Sequence, residues 1–320
     1  MRPDAILKLL NSVEKQSLYP NEILIVDGSK NELTKEAINN SNFDNVRYFK
    51  VEDSNRGLTK QRNFGISKVS SNIDIVCFLD DDIILEDAYF KNLIATYGVF
   101  PDAGGVGGYI INEVNWRQSK ENETIGYENY EIDGWYRNIG QRNIIRKKLG
   151  LFTNNQPCVQ PEYSNGLSVA YLPPNNKTYV VEYFMGGVSS FRKNIVDTIK
   201  FSTYFEGYGL YEDLEYCLRV SRKHKLYLNT SAKLYHYHEP SGRPNKYNYG
   251  KMVVRNGWFV WRTRNTKPSI KACYKWYAIS IVLTMIRFAN SITTSNRMEA
   301  FTESIGRLVG LLSLIFNKPK

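Results

Sequence analysis

The sequence predicts an α/β fold, a mostly parallel sheet flanked by helices, with a basic and apolar helical appendage at its carboxyl end. Three observations predict it. Short apolar runs alternate with segments of helical spacing through residues 6–111, as repeated strand–helix units require. Two of these runs close on aspartates, Asp27 and Asp80, and in parallel sheets such carboxyl ends line the ligand rim. Residues 240–320 carry 14 Lys/Arg against 2 Asp/Glu together with two apolar stretches, a composition foreign to the acidic first third.

The elements follow in order. Ile6, Leu9, Leu10 and Val13 share one helical face. Glu22–Val26 is a short buried strand that ends at Asp27-Gly28-Ser29. Leu33–Asn39 reads as helix and Val46–Val51 as strand. Gly57 opens a helix carrying Arg62, Asn63 and Ile66. Ile75–Leu79 is a strand closed by Asp80, and it is followed by a helix from about Asp87 to Gly98 and a strand at Gly105–Ile111. Residues 112–180 are less regular, with a basic stretch at Arg137–Leu149 that reads as an interfacial helix. Strand signals return at Tyr179–Phe184, followed by Gly186-Gly187 and a helix near Lys193. A Gly-rich aromatic loop, Phe205–Tyr211, leads into a helix opening at Glu212-Asp213, and Leu226–Leu228 is a short strand ahead of His236 and His238.

A chain of 320 residues can bury a large core. Cys77, Cys158, Cys217 and Cys273 lie far apart without metal or redox spacing, which points to a reducing compartment and no disulfide framework. The first residues do not read as a secretion signal. The basic tail suggests an anionic membrane surface; lacking a helix-turn-helix, zinc-finger or RNA-binding signature, it does not point to nucleic acid. Its apolar stretches, Trp276–Ile286 and Ile305–Phe316, fall short of the roughly 20 residues a bilayer span needs. Helices lying in the interface, or packed on the rest of the chain, are the alternatives.

Asp80, Asp81 and Asp82 form a block of negative charge after a buried strand. Carboxylates crowded there repel and lose solvation, so a cation should hold them. A hard divalent ion with oxygen ligands suits them, and a nucleoside diphosphate commonly accompanies such an ion.

Four blocks together resemble glycosyltransferase family 2, inverting enzymes with the GT-A nucleotide-sugar-binding fold. They are Ile-Leu-Ile-Val-Asp-Gly-Ser (23–29), Gly57-Leu-Thr-Lys-Gln-Arg-Asn-Phe-Gly65, Phe-Leu-Asp-Asp-Asp (78–82), and Gly-Gly-Val-Ser-Ser-Phe-Arg (186–192) with Tyr-Glu-Asp-Leu-Glu (211–215). The resemblance spans residues 3–265, divided near 111 into nucleotide-binding and acceptor-binding halves, with 266–320 as the tail.

The resemblance implies roles. Asp82 is a ligand of Mn²⁺ or Mg²⁺, and Asp80 contacts the ribose or shares the ion, while Asp81 supports the turn. A histidine after the second acidic motif completes the metal shell; His236 is preferred to His238 because it follows the strand-like Leu234-Tyr235. Asp213 is the general base, ionised more readily at a helix amino terminus, with Glu212 as the alternative or as an acceptor-orienting group. Asp27 and Arg62 contact the nucleotide. Gly186 and Gly187 allow close backbone approach to the sugars, and Tyr211, Tyr208, Trp116 and Trp135 are stacking platforms. The implied donor is a UDP- or dTDP-sugar, the acceptor a saccharide or lipid-linked saccharide, and the setting surface-polysaccharide synthesis on the cytoplasmic face of the cell membrane.

The family's usual first strand has no counterpart ahead of Arg2-Pro3, so the expectation is a start about ten residues upstream or a truncated donor site. The competing functional readings are a non-catalytic saccharide-binding relative and a sugar nucleotidyltransferase.

Overall fold

In the computed structural model, which describes residues 2–205, 207–238 and 244–319, the chain forms two compact units. One comprises residues 1–115 and 172–240, the other residues 116–171 and 241–320.

The chain opens with α1 (Pro3–Glu14), β1 (Ile23–Asp27), α2 (Leu33–Asn39), β2 (Val46–Lys50) and α3 (Leu58–Ile66). There follow β3 (Ile75–Leu79), β4 (Ile83–Leu85), α4 (Tyr89–Val99) and β5 (Ala103–Ile110). The second unit's first segment holds β6 (Arg117–Gln118), β7 (Asn129–Ile132), β8 (Trp135–Asn138) and α5 (Gln141–Lys148). Back in the first unit come β9 (Thr178–Val181), β10 (Val188–Arg192), α6 (Lys193–Thr198), α7 (Glu212–Val220) and β11 (Lys225–His236). The chain closes with α8 (Lys246–Arg264), α9 (Ile270–Thr293) and α10 (Arg297–Phe316).

The α/β class holds, and the sheet is mixed. Among the described residues, β1 and β2 form a parallel pair of their own. The larger sheet has the order β3-β10-β5-β11-β4, with β9 also on β11. Among the described residues only β5 and β11 run parallel there; β10 returns between β3 and β5 and opposes both. The segment expected as an acceptor-side loop is therefore a central strand from Val188 onward, buried along Val188–Phe191. β11 is far longer than Leu226–Leu228, because a register shift between Leu228 and Lys233 lets it pair with β9 first and β4 later. One face of the sheet buries Leu9 and Val13 of α1, Tyr89 and Leu93 of α4, and Ile83, Val106 and Leu234 from the strands.

The second unit pairs a small antiparallel sheet, β6-β8-β7, with the carboxyl-terminal helices. Its basic helix, α5, starts only at Gln141, since residues 135–138 are spent on β8. Trp258, Trp261 and Trp276 centre its core, with Trp261 and Trp276 stacked at 5.6 Å. α8 and α10 approach backbone to backbone: a β-carbon on Gly306 would lie 2.0 Å from the Tyr247 carbonyl oxygen. Buried Glu303 holds both Arg287 and Arg307, so its charge inside this helix layer is neutralised twice. The two apolar stretches extend into helices of 24 and 20 residues, and no helix among the described residues is long and apolar enough to cross a membrane.

Candidate active site

Strand register assembles the site at one end of the larger sheet. Val188 pairs with Leu79, so Gly187 lies beside Asp80 and its carbonyl accepts the Asp80 N–H at 3.0 Å. His236 pairs with Ile83, which sets His236 beside Asp82, and the Tyr237 N–H donates to the Asp82 carbonyl at 2.8 Å. Leu234 pairs with Ile110 on β5, and two residues further Asn112 clamps His236: its side chain donates to the His236 carbonyl and accepts the His236 N–H, both at 2.9 Å.

The three aspartates separate by direction. Asp80 is 45% exposed and faces Arg62 at 3.6 Å. Asp81 and Asp82 share the Arg2 guanidinium, with Arg2 Nη1 3.1 Å from Asp82 Oδ2. Burial raises the Asp81 carboxyl above the usual range, and Arg2 opposes that rise. The cation that the sequence argument demanded is thus present as a side chain. Asp82 Oδ1 lies 3.3 Å from His236 Nε2. The hydrogen bonds to Asp82 and Glu113 push the His236 imidazole up to about 9. A metal ion on this ring must therefore displace a proton.

Asp82 and His236 fit a divalent ion. Neighbouring ligands of an octahedral ion at about 2.1 Å stand about 3 Å apart, near the separation found here. A mixed carboxylate–imidazole set favours a Mn²⁺-like ion over Mg²⁺. His238 sits elsewhere: its Nε2 contacts Glu113 Oε1 at 3.0 Å.

Arg62 is the hub between the two acidic motifs. Its side chain is 9% exposed, packed over the rings of Phe78 (5.9 Å) and Phe201 (5.3 Å). Glu212 accepts from its Nη1. Burial works against the guanidinium's charge, but Glu212, Asp80 and Asp213 raise its proton affinity. Burial pushes the Glu212 carboxyl up to about 8, against the pull of Arg62. Its Oε2 is buried with no hydrogen-bond partner among the described residues.

Asp213 lies in the first turn of α7, where the helix dipole favours an anion. Its Oδ2 accepts the Gly186 N–H at 3.0 Å and its Oδ1 the Leu214 N–H at 2.7 Å. Burial nonetheless holds the carboxyl above the ordinary range. Tyr211, half-buried, precedes α7 at φ +71°, a left-handed conformation that costs a non-glycine residue about 1 kcal/mol or more. Glu206, in the loop before it, lies outside the described residues.

Asp27 is fully buried, with Ser29 N at 2.7 Å, Ser29 Oγ at 2.8 Å and the Tyr48 hydroxyl at 2.7 Å on its carboxylate. It shapes the loop after β1. α3 and the turn before it tie that loop to the rest: Gln61 of α3 donates to the Val26 carbonyl at 2.9 Å and Arg56, ahead of α3, to the Gly28 carbonyl at 2.7 Å. Tyr208 belongs to the first unit, Trp116 and Trp135 to the second.

Structure therefore brings together Arg62, Asp80, Gly186, Gly187, Glu212 and Asp213, and beside them Asp81, Asp82 and His236. Sequence reasoning missed Arg2, Asn112 and Glu113. Glu113 carried a usable signal, a carboxylate shortly after an apolar strand, the same pattern that singled out Asp27 and Asp80.

Residues 1–159 match the model of a family described as Glycosyl transferase family 2. Over 111 residues the chain is 30% identical to the glucosyl-dolichyl phosphate glucuronosyltransferase of Haloferax volcanii, a match covering 34% of each protein. The chain thus spans about a third of that relative's length. A crystal structure of GalNAc-T7 with UDP, GalNAc and Mn²⁺ superposes with a TM-score of 0.49 at 16% identity, over 81% of this chain and 46% of the other.

Proposed function

We propose that the chain, whose residues 1–159 match glycosyl transferase family 2, is a metal-dependent inverting enzyme of that family. It moves a sugar from a nucleoside diphosphate, UDP or dTDP, to a saccharide or lipid-linked saccharide acceptor in surface-polysaccharide synthesis. The observation that carries this reading is the convergence of Asp82 and His236 on one side and Asp80, Arg62 and Asp213 on the other.

Asp82 and His236, with Asp80 adjoining, hold the divalent ion, which when bound supplies positive charge against the departing diphosphate. Asp213 accepts the acceptor hydroxyl's proton as that oxygen attacks the anomeric carbon from the face opposite the diphosphate. Its raised proton affinity suits a base working near neutral pH. Glu212, engaged by Arg62, orients the acceptor rather than taking the proton. Gly186 presents its N–H to Asp213 and fixes the direction of the carboxylate. Asp27 acts on the nucleotide through the loop it shapes. The test is calorimetric titration with UDP, dTDP and GDP, with and without Mn²⁺, on the wild type and Asp82→Ala. Metal-dependent binding of one nucleotide, lost in the variant, is expected; no nucleotide binding by the wild type sinks the reading.

The same reading places the protein on the inner face of the cell membrane. What supports it is a pair of exposed apolar stripes: Ile270, Tyr274, Ile281, Met285, Phe288 and Ile292 on α9, then Met298, Phe301, Leu308, Leu312 and Ile315 on α10. The spacing keeps each stripe on one helical face, and the surrounding charge is strongly positive.

A further inference from the structure

β11 ends at His236, and His238 follows two residues later, so an extended backbone turns both imidazoles to one side. Their ring centroids lie 4.0 Å apart. The parallel neighbour β5 delivers Glu113 to the same place, with Oε1 2.9 Å from His236 Nδ1 and 3.0 Å from His238 Nε2. All three ligand atoms fall within 4.8 Å of one another. Ligands of a tetrahedral Zn²⁺, bonded at about 2.1 Å, stand about 3.4 Å apart, and both carboxylate–imidazole distances lie within about half an ångström of that.

We propose that Glu113, His236 and His238 form a second metal site, suited to Zn²⁺, with its fourth position open to water. Two imidazoles and one carboxylate favour Zn²⁺ over the oxygen-seeking Mg²⁺ and Ca²⁺. The site stands on sheet backbone: Asn112 bonds both the N–H and the carbonyl of His236, and Tyr237 is tied to Asp82.

The site shares His236 with the donor-side pair, and this consequence rests on the function proposed above. A neutral imidazole has one lone pair to give. Zn²⁺ on Nδ1 puts the ring proton on Nε2, the nitrogen that faces Asp82. Occupation of the second site therefore removes a ligand from the first, and Zn²⁺ acts as an inhibitor through His236.

The full chain, stripped of metal, is titrated with Zn²⁺ alone and then with UDP and Mn²⁺. One Zn²⁺ per chain is expected. Binding should weaken at least about 100-fold in His238→Ala and in Glu113→Gln, beyond the 10- to 100-fold loss typical of a residue that only supports a ligand. Asp82→Asn, which alters only the group facing the His236 Nε2 proton, should weaken Zn²⁺ binding by no more than the 10- to 100-fold of a supporting residue. Zn²⁺ should weaken Mn²⁺–UDP binding in the wild type and not in His238→Ala. His238 is 54% exposed, so this variant should fold, as circular dichroism would verify. Absence of Zn²⁺ binding, or binding that neither variant alters, overturns the site. A wild type that binds Zn²⁺ as expected and keeps full Mn²⁺–UDP affinity overturns the competition. A wild type that binds no Mn²⁺–UDP defeats the donor-site reading, while the Zn²⁺ titration still decides the second site.

Discussion

A β-carbon on Gly187 would lie 2.0 Å from Asp80 Oδ2, so the carboxylate of the first acidic motif rests directly on the backbone of a neighbouring strand. β10 runs antiparallel to β3, and the ladder continues one step past Leu79 to bring the two residues together. Any side chain at position 187 must push Asp80 away. Gly187→Ala should cost about 1–3 kcal/mol of overpacking. If that cost falls on the donor site, Mn²⁺-dependent nucleotide affinity drops about 5- to 150-fold. Calorimetry on the folded variant checks it; unaltered affinity would show that Asp80 takes no part in donor binding.

Arg62 and Glu212 stabilise one another across the site, and pH should reveal it. Without Arg62, Glu212 is a buried carboxylate with no cation. Its proton affinity is already raised to about 8 in the folded protein, against an ordinary value of 4.5. A carboxyl raised in this way contributes stability fully present below pH 4.5 and lost as pH rises through about 8. Arg62→Leu should therefore be mildly destabilising at pH 5 and cost about 3–5 kcal/mol by pH 9. Arg62→Leu with Glu212→Gln should recover much of that loss. Thermal unfolding of both variants across this range is the measurement, and a loss independent of pH would argue against the pair.

Asp213 should govern the acid limb of activity. As a base it works only when ionised, and burial raises it above the usual 3.8. Turnover should rise with pH through an apparent pKa higher than that of a free aspartate. Asp213→Asn should lower kcat by about 10²–10⁴ with nucleotide affinity preserved. A variant that retains turnover would move the base to Glu212.

The apolar stripe on α9 should bind vesicles containing anionic lipid. Ile281, Met285 and Phe288 are 48%, 66% and 48% exposed, so replacing all three with serine should leave the fold intact. Each large apolar side chain is worth about 1.5–3 kcal/mol when fully buried, so partitioning should fall by well over tenfold even if burial is partial. High salt should weaken wild-type binding as well, because basic residues contribute about 1 kcal/mol apiece near such a surface. Equal sedimentation of wild type and variant with vesicles would dismiss the stripe as a membrane contact.

Much of the fold was legible in the residues. Leu33–Asn39, Val46–Lys50, Ile75–Leu79 and the helix opening at Glu212 stand where period and flanking residues put them. Those segments carry local signals, an apolar stripe or a run closed by polar groups. β10 was less visible, because Val-Ser-Ser-Phe-Arg has no clean alternation and draws its stability from the two strands it lies between. β11 was underestimated for a related reason: its middle, Asn229–Ser231, is polar, and those side chains bond Asn92, Thr96 and residues 175–177.

The sequence by itself determined which chemical groups this protein has and in what order: carboxylates after strands at Asp27 and Asp80–Asp82, an acidic pair opening a helix, histidines at 236 and 238, and a basic apolar tail. Only the tertiary structure decided their partners. Arg62 meets Glu212 across 150 positions, and Arg2 meets Asp81 across 79. His236, not His238, faces Asp82, while Glu113 touches both histidines. The physical reason is that these pairings depend on how elements remote in sequence pack together, and those of His236 and Glu113 on strand register. A slip of one residue would turn every side chain to the other face, and no local pattern records that choice.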